Sequence, residues 1–265
     1  MTSPTRPRFS IVTICRNDIA GLTATWKSVH TQTLTDFEWI VVDGASNDGT
    51  TEWLVALNDD RVAWRSEPDA GIYDAMNSGI DRCGGQLVAF LNSGDRLAQP
   101  GTLEFVDRDQ RLRGWEWAIG TMNIIAADGR VIDVNAQDHF RPWELRMGYR
   151  SIGHQAAYFS SELVRSLGHY RPEFGIEADQ EFMIRALAVA PPAVLHEVMA
   201  EALAGGVSFD GRPEAFVLRA QEIREAHGTL LGGNRMLDHA ATMTLRAEKI
   251  ARNRLWRLRG GGLVP

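Results

Sequence analysis

One stretch, Ser66 to Asp95 (SEPDAGIYDAMNSGIDRCGGQLVAFLNSGD), constrains the fold more than any other part of the chain. It reads as a polar loop, a helix over about Ile72 to Cys83, a Gly84-Gly85 turn, and a strand that stops at Asn92-Ser93-Gly94-Asp95. The strand itself, Leu87-Val88-Ala89-Phe90-Leu91, is apolar on both faces, the pattern of a central parallel strand covered by helices. Ligands of open α/β sheets sit beyond the carboxyl ends of the strands, so Asp95 falls where a ligand would lie.

The preceding residues supply the neighbours such a strand needs. Phe9 to Ile14 is β-rich and ends at Cys15-Arg16-Asn17-Asp18; a helix then runs to about His30 with Leu22, Trp26 and Val29 on one side. Phe37 to Val42 is a second strand, ending at Asp43 and a polar loop from which Thr50-Thr51-Glu52 opens the next helix. Val62 to Arg65 is a third. Right-handed crossovers between three strand–helix units make this sheet parallel. Neither GxGxxG nor GxxxxGK[ST] occurs, which counts against a dinucleotide oxidoreductase or a P-loop enzyme. A metal held by carboxylates is then the substitute for handling phosphates.

Beyond Asp95 a helix is expected from near Pro100 to Leu112, and Trp117–Ile125 pairs with Arg130–Val134 across an Ala126-Ala127-Asp128-Gly129 turn. Residues 135 to 176 are irregular apart from a strand at Ala156 to Phe159 and a helix at Ser161 to Leu167. A helix beginning near Glu177, with Phe182, Ile184, Leu187 and Ala188 toward the core, is stopped by Pro191-Pro192. A strand at Val194 to Met199, a loop at Gly205-Gly206-Val207-Ser208 and helices over Pro213–His227 and Leu237–Leu258 complete the chain. The division expected is an α/β domain over 1–210 and a helical extension over 211–265.

At 265 residues and 44% hydrophobic content the chain can bury a full core. No run approaches the ~20 apolar residues of a membrane span, and the first ten residues lack an apolar signal core, so a cytoplasmic location is expected. Cys15 and Cys83 read as reduced thiols. The net charge of -6 is uneven: residues 246–259 hold six basic side chains and one acid. The acidic body argues against nucleic-acid binding. The basic end is either the solvated face of a packed helix or a surface for anionic lipid at the inner face of the membrane, with Trp256 at headgroup level.

The segment SEPDAGIYDAMN, the acids Asp43 and Asp95 at strand ends, the His154-Gln155 pair, and Asp179 followed six positions later by Arg185 together resemble the family 2 glycosyltransferases. The likeness spans roughly residues 8 to 210 and points to bacterial surface-polysaccharide enzymes of the colanic-acid type. It implies a GT-A-like fold, a mostly parallel central sheet flanked by helices. It implies inverting transfer from a nucleotide-diphosphate sugar to a glycan or lipid-linked acceptor with Mg2+ or Mn2+. On this resemblance Asp95 and His154 are the metal candidates, and Ile14, Cys15, Asp43, Asp74 and Asn92 the nucleotide candidates. Asp179 is the base, with Glu177 as its near rival.

Three positions depart from the family pattern. Asn92-Ser93-Gly94-Asp95 carries one acid where two are usual, Gly44 replaces an acid after Asp43, and Met76 stands where many relatives have Arg. Asp95 read alone is also an ordinary turn carboxylate, Asp48 a turn former, Asp179 a helix N-terminal acid and His154 a structural histidine. The rivals to transfer are a catalytically silent nucleotide-sugar-binding domain and a sugar-phosphate nucleotidylyltransferase. The second lacks a Gly-rich basic loop after the first strand.

Overall fold

The computed structural model of the protein describes residues 6–205 and 215–258. In chain order the first half comprises β1 (Phe9–Cys15), α1 (Ile19–His30), β2 (Phe37–Asp43), α2 (Thr50–Ala56), β3 (Val62–Ser66), α3 (Ile72–Ile80) and β4 (Leu87–Phe90). These strands lie in the order β3-β2-β1-β4, all parallel, with Cys15 level with Asp43 and Asp43 level with Ser66. Their carboxyl ends therefore share one edge, and the loops that follow them meet there.

Burial explains the parallel half. Ile11, Trp39, Ile40 and Phe90 are fully enclosed, and α1 lays Leu22, Trp26 and Val29 against one face. A buried polar chain threads the same layer: the Trp39 indole donates to Thr13 Oγ1 at 2.8 Å, and that hydroxyl donates to Leu91 O at 2.7 Å. Breaking it would leave buried groups unpaired at about 1–3 kcal/mol each. On the other face α3 approaches β1 closely at Gly79, where a Cβ would lie 2.3 Å from Val12 Cγ1. The α3 helix stops at Ile80, short of the expected Cys83; the chain turns at Gly84-Gly85 to enter β4.

The second half comprises β5 (Arg96–Leu97), α4 (Thr102–Arg113), β6 (Trp117–Ile125), β7 (Val131–Asn135), α5 (Pro142–Arg146), β8 (Ala157–Ser160), α6 (Ser161–Leu167), α7 (Ala178–Val189) and β9 (Ala193–Leu203). The sheet continues β4-β8-β6-β9-β5, with β7 paired to β6. Here the pairings are antiparallel except β6 with β9. The 117–125/131–135 hairpin forms as its turn residues require, whereas the two-residue β5 has no periodicity from which to be read. The long β9 carries the sheet edge past Asp95 to Leu203.

Helix α7 buries Phe182, Met183, Ile184, Ala186 and Leu187, but Ala188, expected in the core, faces out. Ala188, in the last turn of the helix, instead lines a cavity together with Ile184 and Arg185. Helices α8 (Ala215–Ala226) and α9 (Arg235–Leu258) follow. Phe216, Ala220 and Ile223 of α8 join Phe174 and Phe182 in one apolar cluster. The α9 helix docks differently, through buried Asp238 and Thr242, both bonded to Arg224 of α8. The side chains of Trp256 and Arg257, and residues 206–208 of the expected loop, lie outside the described part of the molecule.

Candidate active site

The tetrapeptide after β4 is held from three sides. Thr25 Oγ1, buried in α1, donates to Asp95 O at 2.7 Å and accepts from Gly94 N at 3.0 Å. Ser93 N donates to Ile14 O at 3.1 Å, and Ser93 Oγ to Asp18 Oδ2 at 2.8 Å. Asp18 also caps α1 through Gly21 N. Gly94 sits at φ 92°, a backbone state that favours glycine, and this turn aims Asp95 back over the sheet edge.

Asp95 is buried. Burial pushes its carboxyl up to about 6, against the opposing pull of the Gln155 amide, the His154 ring and the Leu203 backbone. Gln155 Nε2 donates to Asp95 Oδ2 at 2.8 Å. Beside it the Asn92 amide nitrogen lies 3.3 Å from His154 Nε2, while Asn92 Oδ1 is buried with no hydrogen-bond partner among the described residues. An uncompensated buried oxygen next to a desolvated carboxylate is a donor set for a hard cation. The residues thus fit Mg2+ or Mn2+ as two protein oxygens, to be completed by phosphate and water. No group of three or more His, Cys, Asp or Glu side chains gathers as a ready-made cage among the described residues.

His154 has partners on both nitrogens. Nδ1 lies 3.2 Å from Asp179 Oδ2, and Nε2 faces Asn92. The pattern assigns the proton to Nδ1, with Nε2 accepting. Ligation of a metal by His154 would require Asn92 to release Nε2.

Asp179 opens α7 and is positioned by its neighbours. Gln180 N reaches Asp179 Oδ1 at 2.7 Å and Gln180 Nε2 reaches Oδ2 at 3.1 Å. Gln180 also exchanges bonds of 3.0 and 2.8 Å with the backbone of Ile152, pinning the segment that carries His154 to α7. From the first turn of α3, Tyr73 donates to Ile176 O at 2.7 Å and stands 3.4 Å from Asp179 Oδ1. Burial, then the charge of Asp179, raises the Tyr73 phenol far above its usual range, so it stays a neutral donor. Glu177, half-buried, is pushed up to about 7 by burial and by Asp179, with Arg219 and Lys249 of the C-terminal helices opposing.

The nucleotide candidates separate into two groups. Ile14 and Cys15 lie at the end of β1 beside the tetrapeptide, and burial raises the Cys15 thiol. Asp43 is fully buried at the end of β2, where it accepts from Ser46 N at 3.0 Å, from the Ser46 hydroxyl, and from Ser66 Oγ at 2.6 Å. It thus ties the β2 and β3 ends together and keeps one lone-pair site for another donor. Asp74 is exposed on α3 and accepts from Ala70 N at 3.0 Å. Asn77 and Asp81, on the same side of that helix, bond Tyr170 and His169, so part of this polar side is covered. Met76 is buried core. Asp48 accepts from Thr50 and from Ile19 N, which lowers its carboxyl and joins the two loops.

Thr25, Gln155 and Gln180 do much of the positioning; in the sequence Gln155 stands out only as half of the His154-Gln155 pair, and the other two not at all. The available signals were a Thr on the apolar side of α1 and a Gln immediately after each of His154 and Asp179. Neither is specific.

A parallel half-sheet ending in acids, a mixed second half, and a late helix that returns a carboxylate to the same edge define a GT-A-like class of α/β fold. The family model described as Glycosyl transferase family 2 matches residues 10–106. An "Uncharacterized glycosyltransferase" of Mycobacterium tuberculosis is 34% identical over 88% of this chain and 89% of its own length. A "PGL/p-HBAD biosynthesis glycosyltransferase" of Mycobacterium bovis is 30% identical over 80% and 81%. Among solved structures, S. aureus TarS 1-349 in complex with UDP-GlcNAc superposes with a TM-score of 0.68 at 18% identity, covering 92% of this chain and 71% of that one. The mannosyltransferase PcManGT from Pyrobaculum calidifontis, in complex with GDP-Man and Mn2+, gives 0.56 at 16% identity, covering 96% and 88%. The chain belongs to the family 2 glycosyltransferases, and its fold is GT-A-like.

Proposed function

We propose that this glycosyltransferase moves a sugar, with inversion, from a nucleotide diphosphate to a hydroxyl of a glycan or lipid-linked acceptor in surface-glycan assembly. The observation that carries the reading is the line of side chains from Asn92, beside Asp95, through His154 to Asp179. It joins a site suited to a diphosphate to a carboxylate suited to an acceptor. The names of the relatives, and the UDP and UDP-GlcNAc complexes of TarS, support a nucleotide-sugar donor.

In this reading the base and ribose lie against Ile14, Cys15 and Asp43, with Asp74 at the rim. Asp95 and the free oxygen of Asn92 would hold Mg2+ or Mn2+, and His154 would add Nε2 where Asn92 yields it. The bound ion supplies positive charge to the departing diphosphate. The acceptor oxygen bonds the anomeric carbon as the carbon–oxygen bond to the diphosphate breaks, and the electron pair leaves with the diphosphate. Asp179 takes the acceptor proton, oriented by His154 and Gln180. Glu177, neutral over part of the physiological range, donates a hydrogen bond to the acceptor or takes the proton in its place.

The division at residue 210 marks a transfer domain and a helical extension. We place the extension at the inner membrane surface. Met236, Leu237 and Leu255 of α9 are 84, 56 and 55% exposed, close in sequence to the basic run. Calorimetry against a panel of nucleotide sugars with Mn2+, followed by determination of the product anomer, tests the donor and the stereochemistry. A protein that binds a donor yet transfers it to no acceptor would be the silent binding domain instead.

A further inference from the structure

Past the first turns of α7 a second cavity, of about 430 Å3, is lined by Arg146, Arg171, Arg185, Arg224 and His227. Leu167 and Ile184 form an apolar wall. Ile184 and Ala188 lie about 8 to 14 Å along the helix axis from Asp179 at ~1.5 Å per residue. This cavity is therefore separate from the strand-end site. No carboxylate is among its lining residues.

Two carboxylates stand behind the lining. Glu181, fully buried, takes Arg185 Nε and Nη2 at 2.8 and 2.9 Å, His227 Nε2 at 2.9 Å and Arg171 Nη1 at 3.4 Å. Asp238, also fully buried, takes both forks of Arg224 at 2.9 Å. Those pairs account for Arg185 and Arg224. They do not account for four guanidinium charges against two carboxylates, an excess of two from the arginines alone. Arg146 makes no side-chain hydrogen bond or ion pair among the described residues, and Arg171 only its longer contact with Glu181. Arg185 Nη1 and Arg224 Nη1 each give one N–H to a backbone oxygen, leaving a second available.

We infer that this cavity binds a phosphate-bearing anion. Converging guanidinium forks match phosphate oxygens bidentately. The charge excess matches a phosphate monoester, which carries roughly −1.5 to −2 at pH 7. The volume falls in the ~300–1,000 Å3 range of small-molecule sites and exceeds a bare phosphate, so the apolar wall receives an organic substituent. That phosphate comes from a soluble phosphate ester or from a lipid headgroup. Bound there, it bridges α7, which carries Asp179, to α8.

Calorimetry with inorganic phosphate and with glycerol 3-phosphate tests the site, comparing the wild-type chain with Arg146→Ala and with Arg146→Ala/Arg171→Ala. The double variant should weaken both ligands by about tenfold or more, the worth of one lost charge-assisted hydrogen bond. Arg146→Ala removes no other residue's partner, and it should weaken them in the same direction even if the double variant does not fold. Vesicles of phosphatidylcholine carrying phosphatidic acid, compared with vesicles carrying phosphatidylglycerol, separate the sources, because the basic run of 246–259 takes either anionic lipid and the cavity the phosphate monoester. A preference for phosphatidic acid that is lost in the variants identifies the headgroup; no such preference, with glycerol 3-phosphate binding lost in the variants, identifies a soluble ester. Equal phosphate affinity in wild type and both variants, or no phosphate binding by the wild type at millimolar concentrations, overturns the inference. The readout is independent of transfer, so the outcome leaves the proposed reaction untouched.

Discussion

A single imidazole ring joins the two sides of the site: His154 Nδ1 lies 3.2 Å from Asp179 Oδ2, and its Nε2 lies 3.3 Å from the Asn92 amide nitrogen. Asp179 is thereby oriented from the segment that also carries Gln155, the partner of Asp95.

His154→Ala should therefore lower kcat by about 10 to 10²-fold, the effect of a small misplacement of a reacting group. Donor affinity should be nearly unchanged, and His154→Gln should recover part of the loss by donating to Asp179. Steady-state kinetics check this. A loss confined to Mn2+ affinity would instead make His154 a metal ligand.

Asp95 gives a stability signature. Its folded pKa of about 6 stands above the usual 3.8, so the fold favours the neutral acid. The stability tied to that proton is fully present below the unfolded pKa and is lost as pH rises through about 6. Asp95→Asn should then raise the melting temperature of the ligand-free protein at pH 8 by several degrees, from about 3 kcal/mol at most. It should change little at pH 4 and should abolish Mn2+-dependent nucleotide binding. A variant that melts lower at pH 8 and still binds nucleotide would make Asp95 a turn residue.

The parallel half was legible because each of its strands is a short apolar run ending in turn chemistry, as in Leu87–Leu91 before Asn92. The hairpin at 117–135 was legible for the same reason. The pairing of β6 with β9 was not, since nothing local in Val194–Met199 names a partner strand more than seventy residues earlier. The acids Asp43, Asp95 and Asp179 were readable as strand-end or helix-start carboxylates. Their supports were not: Thr25 and Asp95 meet only after α1 folds over the sheet, and His154 reaches Asp179 only because Gln180 binds Ile152. Polar docking of α9 was also hidden, because Asp238 and Thr242 meet Arg224 only once α8 and α9 lie side by side.

That docking yields a stability prediction. Asp238→Ala leaves the Arg224 guanidinium buried without its carboxylate and should cost about 3–5 kcal/mol. Urea unfolding measures it, and limited proteolysis should show earlier cleavage in α9. A cost below about 1 kcal/mol would mean the pair is solvated in solution.

The exposed Met236, Leu237 and Leu255, with the basic run of 246–259, make a further case. Vesicle co-sedimentation should require anionic lipid and weaken with salt, each cation near the surface contributing about 1 kcal/mol. Binding should vanish when residues 246–259 are removed. Full-length protein that stays in the supernatant at low salt would leave α9 as a packed helix with a solvated basic face.

The most direct test of the account is single-turnover transfer by Asp179→Asn under saturating donor. The account predicts a rate lower by about 10² to 10⁴-fold, the range for a lost general base, with donor binding intact and an inverted anomer from the wild type. Transfer by Asp179→Asn at the wild-type rate, or a wild-type product with retained configuration, would contradict it.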